Sequence, residues 1–246
     1  MKRFENKIVF ITGGGRGMGA AISRRLAAEG AKVILTYSKS REKAEAVATE
    51  INANGGYAEA VEADSIDPKA LTAAIQKTIE QLGPIDILVN NAGIYIGKEF
   101  ESHTLEDYDE IMGVNVRAVF VAALAVAAHM PRNGRIITIG SNMAENALSP
   151  QTTLYTMSKS ALTGFTRGLA RDLGAKGITV NLVQPGPINT DMNPSDTDLA
   201  DFLRGRMALA DYGTGDDIAG LVAFLASEEG KFITGAALTI DGGLNA

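Results

Sequence analysis

Short runs of β-branched residues alternate with longer alanine-rich segments along the whole chain, and this alternation limits the possible folds more than any other feature. Seven runs have the length and composition of strands: residues 7–12, 32–37, 58–63, 86–90, 135–140, 178–183 and 236–240. Six segments have helical periodicity: residues 17–29, 41–53, 68–82, 105–129, 153–174 and 216–227. The pattern is typical of βα units around a parallel sheet. We therefore predict a doubly wound α/β fold with a mostly parallel seven-stranded sheet and helices on both faces.

Length and composition indicate one domain. A chain of 246 residues with 46% hydrophobic residues can bury a substantial core, and no linker, repeat or low-complexity tract divides it. We expect residues 1–246 to form a single domain. The least regular segment is 185–214, and within it we expect a ligand-binding loop at 187–212. A surface excursion with one short helix is the alternative.

Charge and cysteine content exclude several classes of function. The net charge of -6 disfavours nucleic-acid binding, which depends on a basic surface. The chain has no cysteine, so it has no disulfide, thiolate nucleophile or cysteine metal site, and neither His103 nor His129 has a metal-ligand partner at useful spacing. We read no signal peptide and no apolar stretch of the roughly 18 residues that span a membrane. We expect a cytoplasmic protein with no bound metal.

A glycine-rich turn, TGGGRGMG at 12–19, joins the first strand to the first helix. This arrangement presents backbone N–H groups and a helix N-terminus to a phosphate. The spacing fits two dinucleotide-binding patterns, one through Gly15, Gly17 and Ala20 and another through Gly13, Gly17 and Gly19. A tight structural loop is the alternative. The second strand, which ends at Tyr37, lies at the distance where the other half of a nucleotide site is expected.

Further motifs follow in a characteristic order. They are NNAG at 90–93, Asn115 in VNV, Ser141 after ITIG, Tyr155 and Lys159 in YTMSK, PGPINT at 185–190 and TGAALTIDGG at 234–243. Together with the glycine turn, they make the chain resemble the short-chain dehydrogenase/reductase family, and within it the 3-oxoacyl-carrier-protein-reductase-like ketoreductases. The resemblance covers the whole chain. It implies a Rossmann-type fold, a dinucleotide cofactor and a homotetramer whose C-terminal segment packs between subunits.

Four residues are candidates for catalysis: Ser141, Tyr155, Lys159 and Asn115. Tyr155 and Lys159 lie four residues apart, so both fall on one helix face, where the ammonium group would lower the pKa of the phenol from about 10. Ser141 follows a strand, where its hydroxyl would polarise a substrate carbonyl or serve as an ordinary loop residue. Asn115 lies in an apolar helical stretch, where its amide needs partners; the resemblance implies that it anchors a water of a proton relay, and a plain core hydrogen bond is the alternative.

The cofactor and substrate contacts are implied mainly by the resemblance. The cofactor-binding candidates are Gly13, Gly15, Arg16, Gly17, Met18, Gly19, Tyr37, Ser38, Lys39, Asp64, Ser65, Asn91, Ala92, Gly93, Tyr155, Lys159, Pro185, Gly186, Ile188 and Thr190. For Asp64, which would bind the adenine amino group, helix capping is the alternative. The substrate-binding candidates are Ser141, Asn142, Met143, Tyr95, Pro187 and Met192.

The end of the second strand indicates which cofactor is used. Relatives that use NAD(H) carry an acid there, and this chain has Tyr37. Arg16, Lys39 and Arg41 could instead converge on a 2′-phosphate through charge-assisted hydrogen bonds, although they could also be merely solvated. We predict NADP(H) in preference to NAD(H).

These observations predict an NADP(H)-dependent oxidoreductase that interconverts a carbonyl, of the ketone or 3-oxoacyl type, and a secondary alcohol. The partners expected are a small-molecule substrate and identical subunits, with neither nucleic acid nor membrane. The alternative is a nucleotide-binding or nucleotide-sensing protein of the same fold with little turnover.

Overall fold

The computed structural model describes residues 2–246 and contains one sheet of seven strands. The strands are β1 (Ile8–Ile11), β2 (Lys32–Tyr37), β3 (Tyr57–Glu62), β4 (Ile87–Asn90), β5 (Arg135–Ile139), β6 (Thr179–Pro185) and β7 (Ala237–Ile240). Their order across the sheet is β3-β2-β1-β4-β5-β6-β7, and every pairing is parallel. The predicted Rossmann-type seven-stranded fold is confirmed.

Eight α-helices connect the strands and cover both faces. They are α1 (Gly17–Ala28), α2 (Arg41–Ala53), α3 (Pro68–Leu82), α4 (Leu105–Met112), α5 (Ala118–Ala127), α6 (Thr153–Gly174), α7 (Asp198–Arg204) and α8 (Gly215–Ala226). Helices α1, α2 and α8 pack on one face of the sheet, and α3, α5 and α6 contribute to the core on the other. The segment 185–214 contains α7 as its one α-helix, as the sequence pattern allowed.

Most strands are buried on both faces, which is why their sequences are continuous apolar runs. In β1, Val9 and Ile11 belong to the core beneath α1 and α8, whereas Ile8 and Phe10 belong to the core beneath α3 and α5. Alternate side chains of a strand point to opposite faces, so a single apolar run contributes to both cores.

The segment predicted as one helix at 105–129 is divided in the structure. Helix α4 passes into a π-helical turn, Gly113–Arg117, and then into α5, so that residues 105–127 form one continuous helical rod. By length and composition this rod could cross a membrane, and the expectation that no stretch approaches such a length is therefore wrong. In the structure α5 buries Ala118, Val119, Ala122 and Val126 in the domain core.

The strand order reverses direction between β1 and β4. From β1 the chain builds outward through β2 and β3, and then returns to place β4 on the other side of β1, with Ile11 aligned to Val89. The connections therefore leave the carboxyl ends of these two strands in opposite directions and open a crevice between them. Ligands of doubly wound sheets bind at this point.

Candidate active site

The glycine turn is held from three sides by side chains of neighbouring elements. The N–H of Gly13 donates to Thr36 Oγ1 at the end of β2, at 3.2 Å. Asn91 Nδ2, just after β4, donates to the carbonyl of Gly13 at 2.9 Å. From within α1, Ser23 Oγ donates to the carbonyl of Gly14 at 3.1 Å. These bonds use polar groups on the inner side of the turn and give it one conformation.

Two glycines in the turn cannot be replaced without a structural change. Gly13 has φ of +63°, in the left-handed region that favours glycine. A Cβ on Gly19 would lie 2.3 Å from the carbonyl oxygen of Gly13. Helix α1 therefore begins directly against the turn. Its N-cap residue, Arg16, makes no side-chain capping bond, so the first N–H groups of the helix are available to an anion.

Thr12 and Asn91 join β1 to β4 at the crevice. Thr12 Oγ1 accepts hydrogen bonds from the N–H groups of Asn91 and Ala92, each at 3.0 Å, and Asn91 Nδ2 donates to the carbonyl of Thr12 at 3.0 Å. The amide of Asn91 thus orders two carbonyls of the glycine turn. It acts as a structural clamp beside the nucleotide site.

A cleft of about 350 Å³ runs along this edge of the sheet, within the size range of small-molecule sites. It is lined by Gly13, Gly15, Arg16, Gly17, Met18, Gly19, Thr36, Tyr37, Ser38, Lys39, Ser40, Ala63, Asp64, Ser65, Ile66, Asn91, Ala92, Gly93, Ile94, Glu110, Val114, Ile139, Gly140, Tyr155, Lys159, Thr190, Asp191 and Met192. Most of the predicted cofactor residues, from the glycine turn to Lys159, are therefore brought together in one cleft.

The outer end of the cleft is basic. Arg16 and Lys39 line it and are exposed. Arg41, which was expected to converge with them, is not among the lining residues and pairs with Glu45 at 3.0 Å. The adjacent Tyr37 and then Glu45 raise the pKa of Arg41. Of the three basic residues expected at this end, Arg16 and Lys39 line the cleft and Arg41 does not.

Asp64 lines the cleft, and helix capping does not account for it. Its Oδ1 accepts the N–H of Ile66 at 3.2 Å, a local turn bond. The cap of α3 is instead Asp67, whose carboxylate accepts from the N–H groups of Lys69 and Ala70. Asp64 therefore remains a candidate for the adenine end of a nucleotide.

Tyr155 and Lys159 lie on one face of α6, at the inner end of the cleft. Lys159 is 4% exposed, and its Nζ donates to the carbonyl of Ile139 at 3.1 Å and lies 5.6 Å from the ring centroid of Tyr155. Burial lowers the pKa of Lys159 to about 8. Burial raises the pKa of Tyr155, and a hydrogen bond from Ser141 lowers it in part. The expected lowering by Lys159 is not found: burial dominates the pKa of Tyr155, and Lys159 is not among the groups that shift it.

Ser141 is oriented by the turn that follows it. Its Oγ accepts the N–H of Met143 at 3.1 Å and so caps the short 3₁₀ helix Asn142–Ala144. With that acceptor position occupied, the O–H of Ser141 is free to point to Tyr155. The Ser141 hydroxyl lies near enough to the phenol to lower the pKa of Tyr155 in part, so the two hydroxyls predicted to act together are neighbours.

Asn115 lies in the π-helical turn, 1% exposed, and its amide group is fully engaged. Its Oδ1 accepts the N–H of Ile94 at 2.9 Å, and its Nδ2 donates to the carbonyl of Ile94 and to Ser158 Oγ, each at 3.0 Å. The side chain thus ties the loop after β4 to α6, one residue before Lys159. This geometry favours the core hydrogen-bond interpretation of the side chain. π-Helical turns are frequent at functional sites.

The predicted substrate residues differ in their surroundings, and Ser141 and Met143 are not among the residues that line the cleft. Met192 lines the cleft, and Tyr95 packs edge-on against Tyr155 with ring centroids 5.2 Å apart. Asn142 was expected to face the substrate, and this was wrong: it is 3% exposed, and its amide binds the C-terminal residues because the 3₁₀ turn points it away from the cleft. Pro187 is likewise buried, and its carbonyl accepts the N–H of Gly213.

The segment after β6 also differs from expectation. Pro185, Gly186 and Ile188 are not among the residues that line the cleft. The side chain of Ile188 is 4% exposed and belongs to the core beneath α8, because the chain here still follows the direction of β6. Of the four predicted cofactor residues in 185–190, Thr190 is the one that lines the cleft.

The cleft fits a dinucleotide. It has a glycine turn with free N–H groups at its centre, basic side chains at its outer end, and a buried lysine beside a phenol at its inner end. Among residues 2–246, no three His, Cys, Asp or Glu side chains are grouped so as to hold a metal ion.

A family model described as "Enoyl-(Acyl carrier protein) reductase" matches residues 13–245. The chain belongs to the short-chain dehydrogenase/reductase family. A 3-oxoacyl-[acyl-carrier-protein] reductase of Staphylococcus aureus is 36% identical over 97% of this chain and 98% of its own length, in agreement with the predicted ketoreductase branch. The identification made from the motifs is therefore confirmed.

Two further relatives have bearing on the ligand of this short-chain dehydrogenase/reductase. A short-chain dehydrogenase from Burkholderia cenocepacia, solved in complex with NADP, is 52% identical and has a TM-score of 0.97 over 99% of this chain and 100% of its own. Its cofactor agrees with the prediction of NADP(H). A cyclic-di-GMP-binding biofilm dispersal mediator protein of Escherichia coli is 43% identical over the full length of both chains.

Sequence reasoning missed Asp191 and Glu110, which both line the cleft. Asp191 Oδ2 lies 2.5 Å from Lys43 Nζ, and this pairing lowers the pKa of Asp191. Asp191 directly follows the PGPINT motif, which was the one available signal. Nothing in the sequence pattern relates it to Lys43, because the two residues are 148 positions apart in the chain.

The buried Lys159 predicts an unusual dependence of stability on pH. Its pKa is about 8 in the folded chain against an ordinary value of 10.5, so the unfolded chain binds the proton more tightly. Stability therefore rises as pH increases from 8 toward 10.5. Lys159→Met removes this titration. The quantity to measure is the free energy of unfolding in urea, for the native protein and for the variant. We expect the value for the native protein minus that for the variant to increase by about 2 kcal/mol between pH 7 and pH 9.5.

Lys69→Met is the matched control, since Lys69 is exposed. We expect its difference from the native protein to stay constant over the same pH range. A constant difference for Lys159→Met as well would show that Lys159 titrates normally in the folded protein.

Proposed function

We propose that this protein is an NADP(H)-dependent reductase that interconverts a ketone or 3-oxoacyl carbonyl and a secondary alcohol. The observation that carries the proposal is the placement of Tyr155 and the buried Lys159 on one helix face at the inner end of a dinucleotide-sized cleft, with the Ser141 hydroxyl close enough to lower the pKa of Tyr155. Two hydroxyls at one point can bind a single carbonyl oxygen. This arrangement is what reduction of a carbonyl requires of the protein.

In the direction of reduction, Ser141 donates a hydrogen bond to the carbonyl oxygen and Tyr155 transfers its proton to that oxygen. When bound, the nicotinamide cofactor supplies the hydride that the carbonyl carbon receives. Lys159 places its ammonium 5.6 Å from the ring centroid of Tyr155, which is close enough to attract the negative charge that proton transfer leaves on the phenol. Asn115 holds the helix that carries both residues in register with the loop after β4.

Tyr155→Phe tests this assignment. The variant keeps the aromatic packing against Tyr95 but has no proton to transfer. We expect kcat for ketone reduction to fall by about 10²- to 10⁴-fold, the usual contribution of general acid catalysis. NADPH affinity, measured by the fluorescence change of NADPH on binding, should change less than about threefold.

Tyr95→Phe is the matched control, since it removes a neighbouring phenol from the same aromatic pair. We expect it to retain turnover within about tenfold. Unchanged turnover in Tyr155→Phe would exclude Tyr155 as the acid.

The choice of NADP(H) over NAD(H) is supported by Arg16 and Lys39 at the outer end of the cleft and by Tyr37 where an acid would repel a 2′-phosphate. The NADP bound to the Burkholderia relative supports the same choice. A phosphate at this end would receive charge-assisted hydrogen bonds, which are about twice as strong as neutral ones.

Single substitutions at the basic end test the choice of cofactor. We expect Arg16→Ala and Lys39→Ala each to raise the KM for NADPH by about 5- to 20-fold and to leave the KM for NADH unchanged, because NADH has no 2′-phosphate. Arg41→Ala is the control and should behave like the native protein, since Arg41 pairs with Glu45. Equal losses with both cofactors would place the two cations elsewhere on the nucleotide.

The substrate is proposed to be uncharged at its reacting end. Tyr95, which packs edge-on against Tyr155, and Met192, which lines the cleft, are both uncharged and exposed. A ketone or the 3-oxo end of an acyl thioester fits such surroundings. A screen of ketones, diketones and acyl thioesters with NADPH would identify the class.

A second candidate is a nucleotide-binding protein with little turnover. The cyclic-di-GMP-binding relative favours it. The presence of Ser141, Tyr155 and Lys159 close together favours the enzyme. Failure of the native protein to oxidise NADPH with any carbonyl in the screen, together with tight binding of a cyclic dinucleotide, would support the second candidate.

We further propose a cytoplasmic homotetramer. The support for assembly is apolar surface on α5, where Phe120 and Leu124 are 52% and 63% exposed, and Phe232, which is 98% exposed just before the edge strand β7. Surfaces of this kind mark protein interfaces. The absence of cysteine is compatible with a reducing compartment.

Light scattering tests the assembly. We expect the mass of four chains for the native protein and a smaller mass for Phe120→Glu, because a charge at an apolar interface is left without solvation. Tyr57→Glu, on the opposite edge strand β3, is the control and should remain tetrameric. A native monomer would contradict the proposal.

A further inference from the structure

The last residues of the chain fold into a turn, residues 241–245, which we call the C-terminal turn. The carboxylate of Asp241 organises it. Asp241 Oδ1 accepts the N–H of Gly243 at 2.9 Å, and Oδ2 accepts the N–H of Asn245 at 3.0 Å. The turn therefore has a defined shape, which places the side chain of Asn245 in a fixed direction.

The C-terminal turn and Asn142 bind each other through both amide groups. Asn245 Nδ2 donates to the carbonyl oxygen of Asn142 at 2.9 Å, and Asn142 Nδ2 lies 3.3 Å from Asn245 Oδ1 and 3.4 Å from Asp241 Oδ2. The short bond is the one to the backbone of Asn142, and Asn142 is 3% exposed. Asn245, which lies 103 positions after Asn142, thus fixes the peptide group between Asn142 and Met143.

The peptide group between Asn142 and Met143 lies one residue after Ser141. Ser141 Oγ accepts from Met143 across the same 3₁₀ turn, so the position of its hydroxyl depends on the conformation of Asn142. A shift at the Asn142 carbonyl would rotate the peptide and move Ser141 relative to Tyr155. Side-chain geometry at a reacting centre is sensitive to such shifts, and a displacement of about 1 Å can cost 10²-fold in rate.

The C-terminal turn also contacts two further parts of the active-site edge. Leu209, at the end of the segment that contains α7, donates its N–H to the carbonyl of Gly242 at 2.9 Å. Gly186, after β6, approaches Asp241 so closely that a Cβ there would lie 2.4 Å from the Cβ of Asp241. The turn is therefore packed between the Ser141 loop and the segment expected to bind substrate.

We propose that Asn245 is a positioning residue that holds Ser141 in its catalytic orientation through Asn142, with Asp241 fixing the turn that presents it. The inference rests on the proposed function, because it assigns Asn245 a role through Ser141. The contacts to Leu209 and Gly186 make the C-terminal turn the support on which the Ser141 loop rests.

The experiment is a double-mutant cycle on carbonyl reduction. Asn245→Ala is made in the native chain and in Ser141→Ala, and kcat, KM for the carbonyl and affinity for NADPH are measured for all four proteins. We expect Asn245→Ala to lower kcat by roughly 10- to 100-fold in the native chain. In the Ser141→Ala chain we expect it to change kcat less than about twofold, because there is no serine hydroxyl left to position. NADPH affinity should stay within about twofold throughout.

Asn52→Ala is the matched control. Asn52 makes a similar reciprocal amide pair with the backbone of Ala58, at 2.8 and 2.9 Å, at the far end of α2. We expect it to leave kcat unchanged, although it loses comparable hydrogen bonds. If Asn245→Ala does not fold, the isosteric Asn245→Asp takes its place, since it replaces the donor to Asn142 with a carboxylate oxygen, and the same pattern of kcat values is expected.

The outcomes separate the two proposals. Equal losses from Asn245→Ala in both backgrounds, no loss in the native chain, or a loss in NADPH affinity alone would overturn the positioning role and leave the proposed function intact. Native kcat in Ser141→Ala would overturn the catalytic role of Ser141 and, with it, the role of Asn245.

Discussion

The hydrogen bonds between Thr12, Gly13 and Asn91 are the constraint on which the rest of the site depends. They join the ends of β1 and β4 where the strand order reverses, and they do so with side-chain groups that take no part in the sheet. The crevice would exist without them, since the topology makes it. Without them the glycine turn at the base of the crevice would not have a single conformation, because the carbonyls of Thr12 and Gly13 would lose the hydrogen bonds from Asn91. The first N–H groups of α1 can face a phosphate because the preceding turn is held in this way.

At the catalytic end of the cleft, ionisable groups are buried at a cost in free energy. Lys159 is buried with one carbonyl partner, and the phenol of Tyr155 is desolvated beside it. Both groups are less stable in these positions than in water, and such perturbation is common where side chains handle protons. Asn115 keeps α6 in place despite the cost of burying these groups, because its amide donates to Ser158 Oγ in α6 and accepts the N–H of Ile94 in the loop after β4. The rigid surroundings thus hold reactive groups that would otherwise move toward solvent.

Three distant parts of the chain meet at the proposed reaction centre. The glycine turn comes from the first residues, Ser141 and Tyr155 from the middle, and the C-terminal turn from the last. The first two are placed by the ends of parallel strands, which bring their following loops to one edge by geometry alone. The C-terminal turn is placed by β7, the outermost strand, and reaches inward to Asn142.

The strand and helix pattern was enough to establish the sheet, its parallel strands and the family motifs, because alternating periodicity and short local spacings depend on neighbouring residues. Tyr155 and Lys159 were predictable for the same reason, since four residues place two side chains on one helix face. The sequence could not show that Asn142 turns away from the substrate, that Arg41 leaves the basic end, or that Asp191 meets Lys43. Each of these depends on a partner brought close by the folded sheet. Nor could it give the pKa directions of Tyr155 and Lys159, because desolvation is a property of the packed interior and not of residue order.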